Sequence, residues 1–182
     1  ILVGVLSRGR GSYEVAIKTF QERLRELGYI EGETIRYDIR FLANKEELAQ
    51  AARDLVRDKT DLIHTYSTPA TQAAYQETKH LPNPIPIVFG SVGDPVAAGV
   101  IQSVARPGTQ VTGVLSLSTE LTGKRIELLT RMNSDMKKIG MPHSAYELND
   151  AAADKSVIIA QKTAQDLGIQ LLLFPVRSTE EN

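Results

Sequence analysis

The sequence predicts an α/β protein built on a doubly wound parallel sheet, on three observations. Short β-branched runs alternate with longer segments whose apolar residues recur at helical spacing. The run Ile87-Val88-Phe89 is apolar on both faces, as the central strand of a parallel sheet is. Three turns between the runs carry glycines, hydroxyls or helix-start residues beyond the carboxyl ends of strands, where such sheets hold small ligands.

Taken in order, Ile1 to Leu6 reads as a buried first strand and Ser7 to Ser12 as a glycine-containing loop. Tyr13, Ala16, Ile17, Phe20, Leu24 and Leu27 then share one face of a helix closed by Gly28. Gly9-Arg10-Gly11 invites a dinucleotide fingerprint, but Glu14 stands where the third glycine belongs, so that reading is set aside. Ile35, Tyr37, Ile39 and Phe41 alternate with charged residues, an edge-strand pattern. Asn44 with Glu47 three residues on resembles a capping box for a helix with Leu48, Ala52, Leu55 and Val56 inward.

Leu62 to Tyr66 is the third strand, and His64 within it is read as a satisfied core or subsite histidine. In Ser67-Thr68-Pro69-Ala70-Thr71, Thr68 is expected to cap a helix with Pro69 at its first position. The free amides of that first turn and three hydroxyls suit a carboxylate. After the fourth strand, Gly90-Ser91-Val92-Gly93 is a tight turn, and Asp94-Pro95 is expected to cap a helix running to about Ala105. Arg106-Pro107-Gly108 ends it before a fifth strand at Val111 to Leu115.

Five strands, near 1–6, 34–41, 61–66, 86–90 and 111–115, with four helices between them, predict the flavodoxin-like order 2-1-3-4-5. The turns at 7–12, 67–71 and 90–94 then open on one sheet edge, so Ser7, Thr68 and Ser91 would line one crevice. The first lobe is assigned to residues 1–116. Residues 117–182 are expected to form a second lobe, incomplete as given. It would hold a helix through Leu121 to Met132, a short strand at Lys138 to Met141, a helix near Ala152 to Leu167 and a strand near Ile169 to Val176.

Composition excludes several classes. The 182 residues are 42% hydrophobic with a net charge of -1, and 21 basic and 22 acidic side chains are evenly mixed. Nothing there favours nucleic acid or an anionic membrane. With no cysteine there is neither a disulfide nor a thiolate metal site. No apolar run approaches the ~20 residues needed to span a bilayer. The abrupt start inside a strand at Ile1 suggests that a leader has been trimmed. For catalysis, His64, His80 and His143 are scattered, no nucleophile elbow or zinc motif is present, and Thr122-Gly123-Lys124 lacks the upstream glycine of a phosphate loop. The reading is a binding protein, with no enzyme activity, cofactor or metal.

The stretch Pro86-Ile87-Val88-Phe89, Val92 to Gly99, Ala105-Arg106-Pro107-Gly108, Val111-Thr112-Gly113-Val114 and Lys124 to Leu129 resembles the ABC-transporter substrate-binding proteins of the tryptophan/tyrosine-binding type. The match extends more loosely from Gly4 to Val176. It weakens at Met141 to Tyr146, where that family runs into a tyrosine-asparagine-proline loop. The resemblance implies a type I periplasmic-binding fold and an amino-acid-like ligand, aromatic in the family, taken up between two lobes. It also implies a membrane permease as partner and a periplasmic or extracellular, lipoprotein-like anchored protein. The ligand-binding set it suggests is Ser7, Arg8, Tyr66, Ser67, Thr68, Thr71, Gly90, Ser91, Asp94 and Ser116. Ser67, Thr68 and Thr71 would hold the carboxylate, and Asp94 or a neighbouring carbonyl the ammonium. Tyr13, Tyr66 and Phe89 are the candidate stacking surfaces. A sensor domain of the same fold, feeding a membrane signalling protein, is the alternative.

Overall fold

Hydrophobic periodicity and strand propensity are realised as five parallel strands: β1 (Leu2–Arg8), β2 (Arg36–Leu42), β3 (Leu62–Tyr66), β4 (Ile87–Val92) and β5 (Val111–Leu115). They pair in the order β2-β1-β3-β4-β5, the predicted one. The structure, a computed structural model, describes residues 1–11, 13–144 and 151–176. The Ser12 end of the first loop, the Ala145-Tyr146 departure from the family pattern and residues 178–182 lie outside the described residues.

Three helices connect the first four strands: α1 (Tyr13–Glu26), α2 (Lys45–Arg57) and α3 (Thr68–Thr78). Asn44 caps α2 by accepting from the Glu47 amide at 2.9 Å, while the Glu47 carboxylate accepts from the Ala43 amide at 2.9 Å. The reciprocal pair satisfies two amides that the helix start leaves open. Helices α2 and α3 cover one sheet face with an aliphatic core that includes Leu6, Leu48, Leu55, Ile63, Ile87 and Phe89. Each such side chain contributes about 1.5–3 kcal/mol by leaving water. The α1 face is different: Val3, Val5 and Ile17 share it with Tyr66, Phe20 and Tyr37. Edge strand β2 is clasped to α2 by Arg40, which pairs with Asp38 and with Asp54 at 3.3 Å. The charged edge discourages pairing with another chain.

The expected helix from Asp94 to about Ala105 is not formed. One turn follows Asp94, with the Ala98 amide bonded to the Asp94 carbonyl at 3.0 Å and the Val100 amide to the Pro95 carbonyl at 3.1 Å. Gly99 then takes φ 71, a left-handed conformation that ends helices. Val100 and Ile101, adjacent in sequence, are both buried in the aliphatic core. Two neighbouring inward side chains suit an irregular segment, and the Gln102 amide closes it onto the Pro107 carbonyl at 2.8 Å. The four expected helices of this region are therefore three.

Contacts divide the chain into two compact units, Ile1–Leu115 and Ser116–Asn182. In the second, α4 (Thr122–Met132) and α5 (Ala151–Asp166) accompany a parallel pair, β6 (Lys138–Ser144) and β7 (Gln170–Val176). Gly123 of α4 lies against Thr163 and Ile159 of α5. Ile126, Ala160 and Ala164 are buried, whereas Leu172 and Phe174 of β7 are 36% and 53% exposed. Among the described residues no helix is long and apolar enough to cross a membrane.

Candidate functional site: the turn after β3

Parallel strands bring their carboxyl ends to one edge, and the register sets which residues meet there. Ser7 pairs with Tyr66, and Tyr66 with Ser91. The Ser67 amide continues this row by donating to the Ser91 carbonyl at 3.1 Å. The turns after β1, β3 and β4 are thus side by side.

The turn after β3 carries backbone strain. Ser67 has φ 84 and ψ 153, a region that is essentially reserved for glycine. Holding a serine there costs of order 1–3 kcal/mol, and such residues cluster at ligand sites. Ser67, not Thr68, is the N-cap of α3. Its hydroxyl accepts from the Ala70 amide at a long 3.5 Å, and its carbonyl accepts from the Thr71 amide at 3.2 Å. The shift of the cap by one residue follows from the Ser67–Ser91 bond, which holds residue 67 outside the helix. Pro69 then falls one position later than expected, in a first turn without acidic side chains.

The hydroxyls separate into two groups. Thr71 is fully buried, donates to the Ser67 carbonyl at 2.9 Å and lies 2.8 Å from the Thr65 hydroxyl. It braces the turn from inside. Ser7, also fully buried, donates to the Gly9 carbonyl at 3.0 Å and ties down its own loop. Thr68 is 5% exposed, and its hydroxyl has no hydrogen-bond partner among the described residues. With the half-buried Ser67 and Ser91, Thr68 offers the polar groups at this edge that internal bonding leaves in play.

The remaining candidates are placed as follows. Arg8 ends β1 half-buried and engaged in an interaction of its own. The Asp94 carboxylate is buried and accepts from the Ala97 amide at 2.9 Å, so it caps its turn as expected. Gly90 serves the protein itself: a Cβ there would lie 2.5 Å from the Tyr66 ring. Tyr66 and Phe89 are 5% and 2% exposed, which corrects their reading as stacking surfaces. Helix α1 covers the first and the aliphatic core encloses the second; Tyr13 alone of the three is partly open. Ser116 follows β5, with its hydroxyl 2.9 Å from that of Ser118.

An aromatic file behind the turn escaped sequence reasoning. Tyr13 packs on Tyr66 with ring centroids 5.6 Å apart, Tyr66 meets His64 edge-on at 4.6 Å, and His64 stacks on Phe20 at 4.3 Å. The signal was present in the two-residue spacing of His64 and Tyr66, which places both on the α1 face. Burial holds the His64 ring neutral by lowering its pKa, against a smaller opposite effect of the Val88 carbonyl. The Tyr66 phenol is raised by burial.

The family model described as ABC transporter substrate binding protein matches residues 6–182. A "Tyrosine-binding protein" of Clostridioides difficile (strain R20291) is 38% identical over 140 residues, 76% of this chain and 39% of that protein. A conserved domain protein from Vibrio cholerae superposes with a TM-score of 0.86 at 27% identity, covering 99% of this chain and 58% of the other. The ABC domain in complex with L-Trp from Streptococcus pneumonia gives a TM-score of 0.81 at 25% identity over the same shares. The chain thus spans well under two thirds of the length of these relatives.

Proposed function

The chain belongs to the family of ABC transporter substrate-binding proteins, a family of binders rather than of enzymes, and on that footing we propose that it captures a free aromatic amino acid for import. The observation that carries the reading is the strained Ser67 turn, with an uncommitted Thr68 hydroxyl at the open start of α3. A carboxylate seated there would accept from the Ser67 and Thr68 hydroxyls and from first-turn amides, aided by the helix dipole. The ammonium would be received by the 90–94 turn, through Asp94 or a neighbouring carbonyl. Arg8 and Ser91 border this arrangement, while Ser7, Thr71, Tyr66 and Gly90 support it from within. The tyrosine- and tryptophan-binding relatives favour an aromatic side chain.

In this reading the two units are lobes that close on the ligand, with torsion changing at Ser116–Ser118, where Leu117 already has φ 51. The closed form presents itself to an ABC permease outside the cytoplasm, where a membrane anchor would keep the protein close to it. Calorimetric titration of the full-length protein with L-tyrosine and L-tryptophan tests the reading. Binding of at least one is expected; silence toward both, with turnover of another added compound, would end it.

A further inference from the structure

His64 lies at the middle of β3 and is 5% exposed. Its Nδ1 is 2.7 Å from the Val88 carbonyl, which can only accept, so Nδ1 carries the ring hydrogen. The other nitrogen, Nε2, is buried with no hydrogen-bond partner among the described residues. As a neutral acceptor it tolerates that position; as a protonated donor it would need an acceptor that is absent there. Stacking on Phe20 offsets part of the cost of a charge but supplies no acceptor.

We infer that His64 makes the ligand turn sensitive to acid, because a proton on its ring disrupts the aromatic file that seats Tyr66 next to Ser67. The titratable groups on the surrounding elements are the phenols of Tyr13 on α1, Tyr37 on β2 and Tyr66 on β3. Strand β1 contributes Val3 and Val5, and β4 contributes Val88. On α1, Lys18 pairs with Glu14 at 3.6 Å and Arg23 with Glu26 at 2.7 Å, both at the surface. Burial lowers the His64 pKa and the Val88 carbonyl raises it less. Tyr66 has little room to give way, since Gly90 is the only residue type its ring admits beside it. Displacing that ring therefore moves both turns of the candidate site.

The sign follows from linkage. An unfolded histidine takes up its proton near pH 6.5, and the folded one only at lower pH. The stability contributed by the neutral ring is present above that value and is lost as pH falls towards the folded pKa. Ligand affinity follows at lower pH, once the folded ring itself takes up its proton, provided the bound state keeps Tyr66 seated; this arm rests on the proposed function.

The test compares full-length wild type with His64→Gln and His64→Phe between about pH 7.5 and about pH 5.5. Two quantities are followed: the dissociation constants of L-tyrosine and L-tryptophan by calorimetry, and the thermal unfolding midpoint without ligand. The wild type is expected to lose midpoint first, as pH falls below about 6.5, and then affinity, by up to about tenfold per pH unit in the one-proton limit once the folded ring titrates. Both variants are expected to be nearly flat in both readouts. Equal losses in wild type and variants would overturn the inference. If neither amino acid binds at about pH 7.5, the binding reading fails, and the midpoints alone decide whether His64 is the acid-sensitive group. If His64→Phe does not fold, His64→Gln, which keeps a donor for the Val88 carbonyl, decides.

Discussion

Two turns on the same sheet edge begin with nearly the same signal and end differently. Ser67-Thr68-Pro69 after β3 and Gly93-Asp94-Pro95 after β4 each offer a capping side chain followed by proline. The first opens an eleven-residue helix; the second opens a single turn. The difference lies downstream of the cap. Ala70, Thr71, Ala74 and Thr78 recur at helical spacing and are all buried, so α3 gains core at every turn. After Asp94, Val96 is 43% exposed, Gly99 turns left-handed, and the buried pair Val100-Ile101 fits no helical face. A cap and a proline state where a helix begins, while its length is decided by what the next two turns can bury.

The same contrast extends to chemistry. After β4 the capping carboxylate is drawn inward and bonded to its own turn. After β3 the strain falls on Ser67 and the bracing on Thr71, which leaves Thr68 with an unused hydroxyl. The largest expected effect tests the bracing. Thr71→Val deprives the fully buried Thr65 hydroxyl of its partner and leaves the Ser67 carbonyl with the Thr71 amide alone, so it should destabilise the protein by about 1–3 kcal/mol. The additional change Thr65→Val should restore part of that loss in denaturant unfolding. Next, Asp94→Ala removes a cap worth about 1 kcal/mol. Its midpoint should fall while the far-ultraviolet helical signal barely changes, since only one turn depends on it.

The smallest effect is the most discriminating. Ser67→Gly relieves backbone strain but loosens the unfolded chain and deletes a weak 3.5 Å cap. The unfolding midpoint should stay level or rise slightly while affinity for L-tryptophan or L-tyrosine falls. A clear loss of stability would mean that the turn is not strained, and the contrast with Asp94 would blur.

How much could be read beforehand follows from the same physics. Strand order was legible because β-branched runs and parallel connectivity leave few arrangements, and Asn44 was legible because a capping box is local. The end of the Asp94 turn was not, because it depends on Gly99 and on where Val100 and Ile101 find core. Ser67 was passed over as the cap because its bond to Ser91 joins residues 24 positions apart only through sheet register. Gly90 and Tyr66 were both assigned to the ligand, yet the glycine exists to admit the ring. Hydroxyl-rich turns announce themselves in sequence, but which hydroxyl faces inward is settled by packing.

The account stands most directly on Thr68. Thr68→Val keeps size and branching, leaves the Ser67 cap in place and removes a hydroxyl for which the turn itself has no use. Dissociation constants for L-tyrosine and L-tryptophan and the unfolding midpoint should be measured together on wild type and variant. The account predicts an affinity loss of about 1.5–3 kcal/mol, roughly ten- to more than a hundredfold, with a midpoint nearly unchanged. An unchanged dissociation constant with a lowered midpoint would contradict it and make Thr68 a structural residue only.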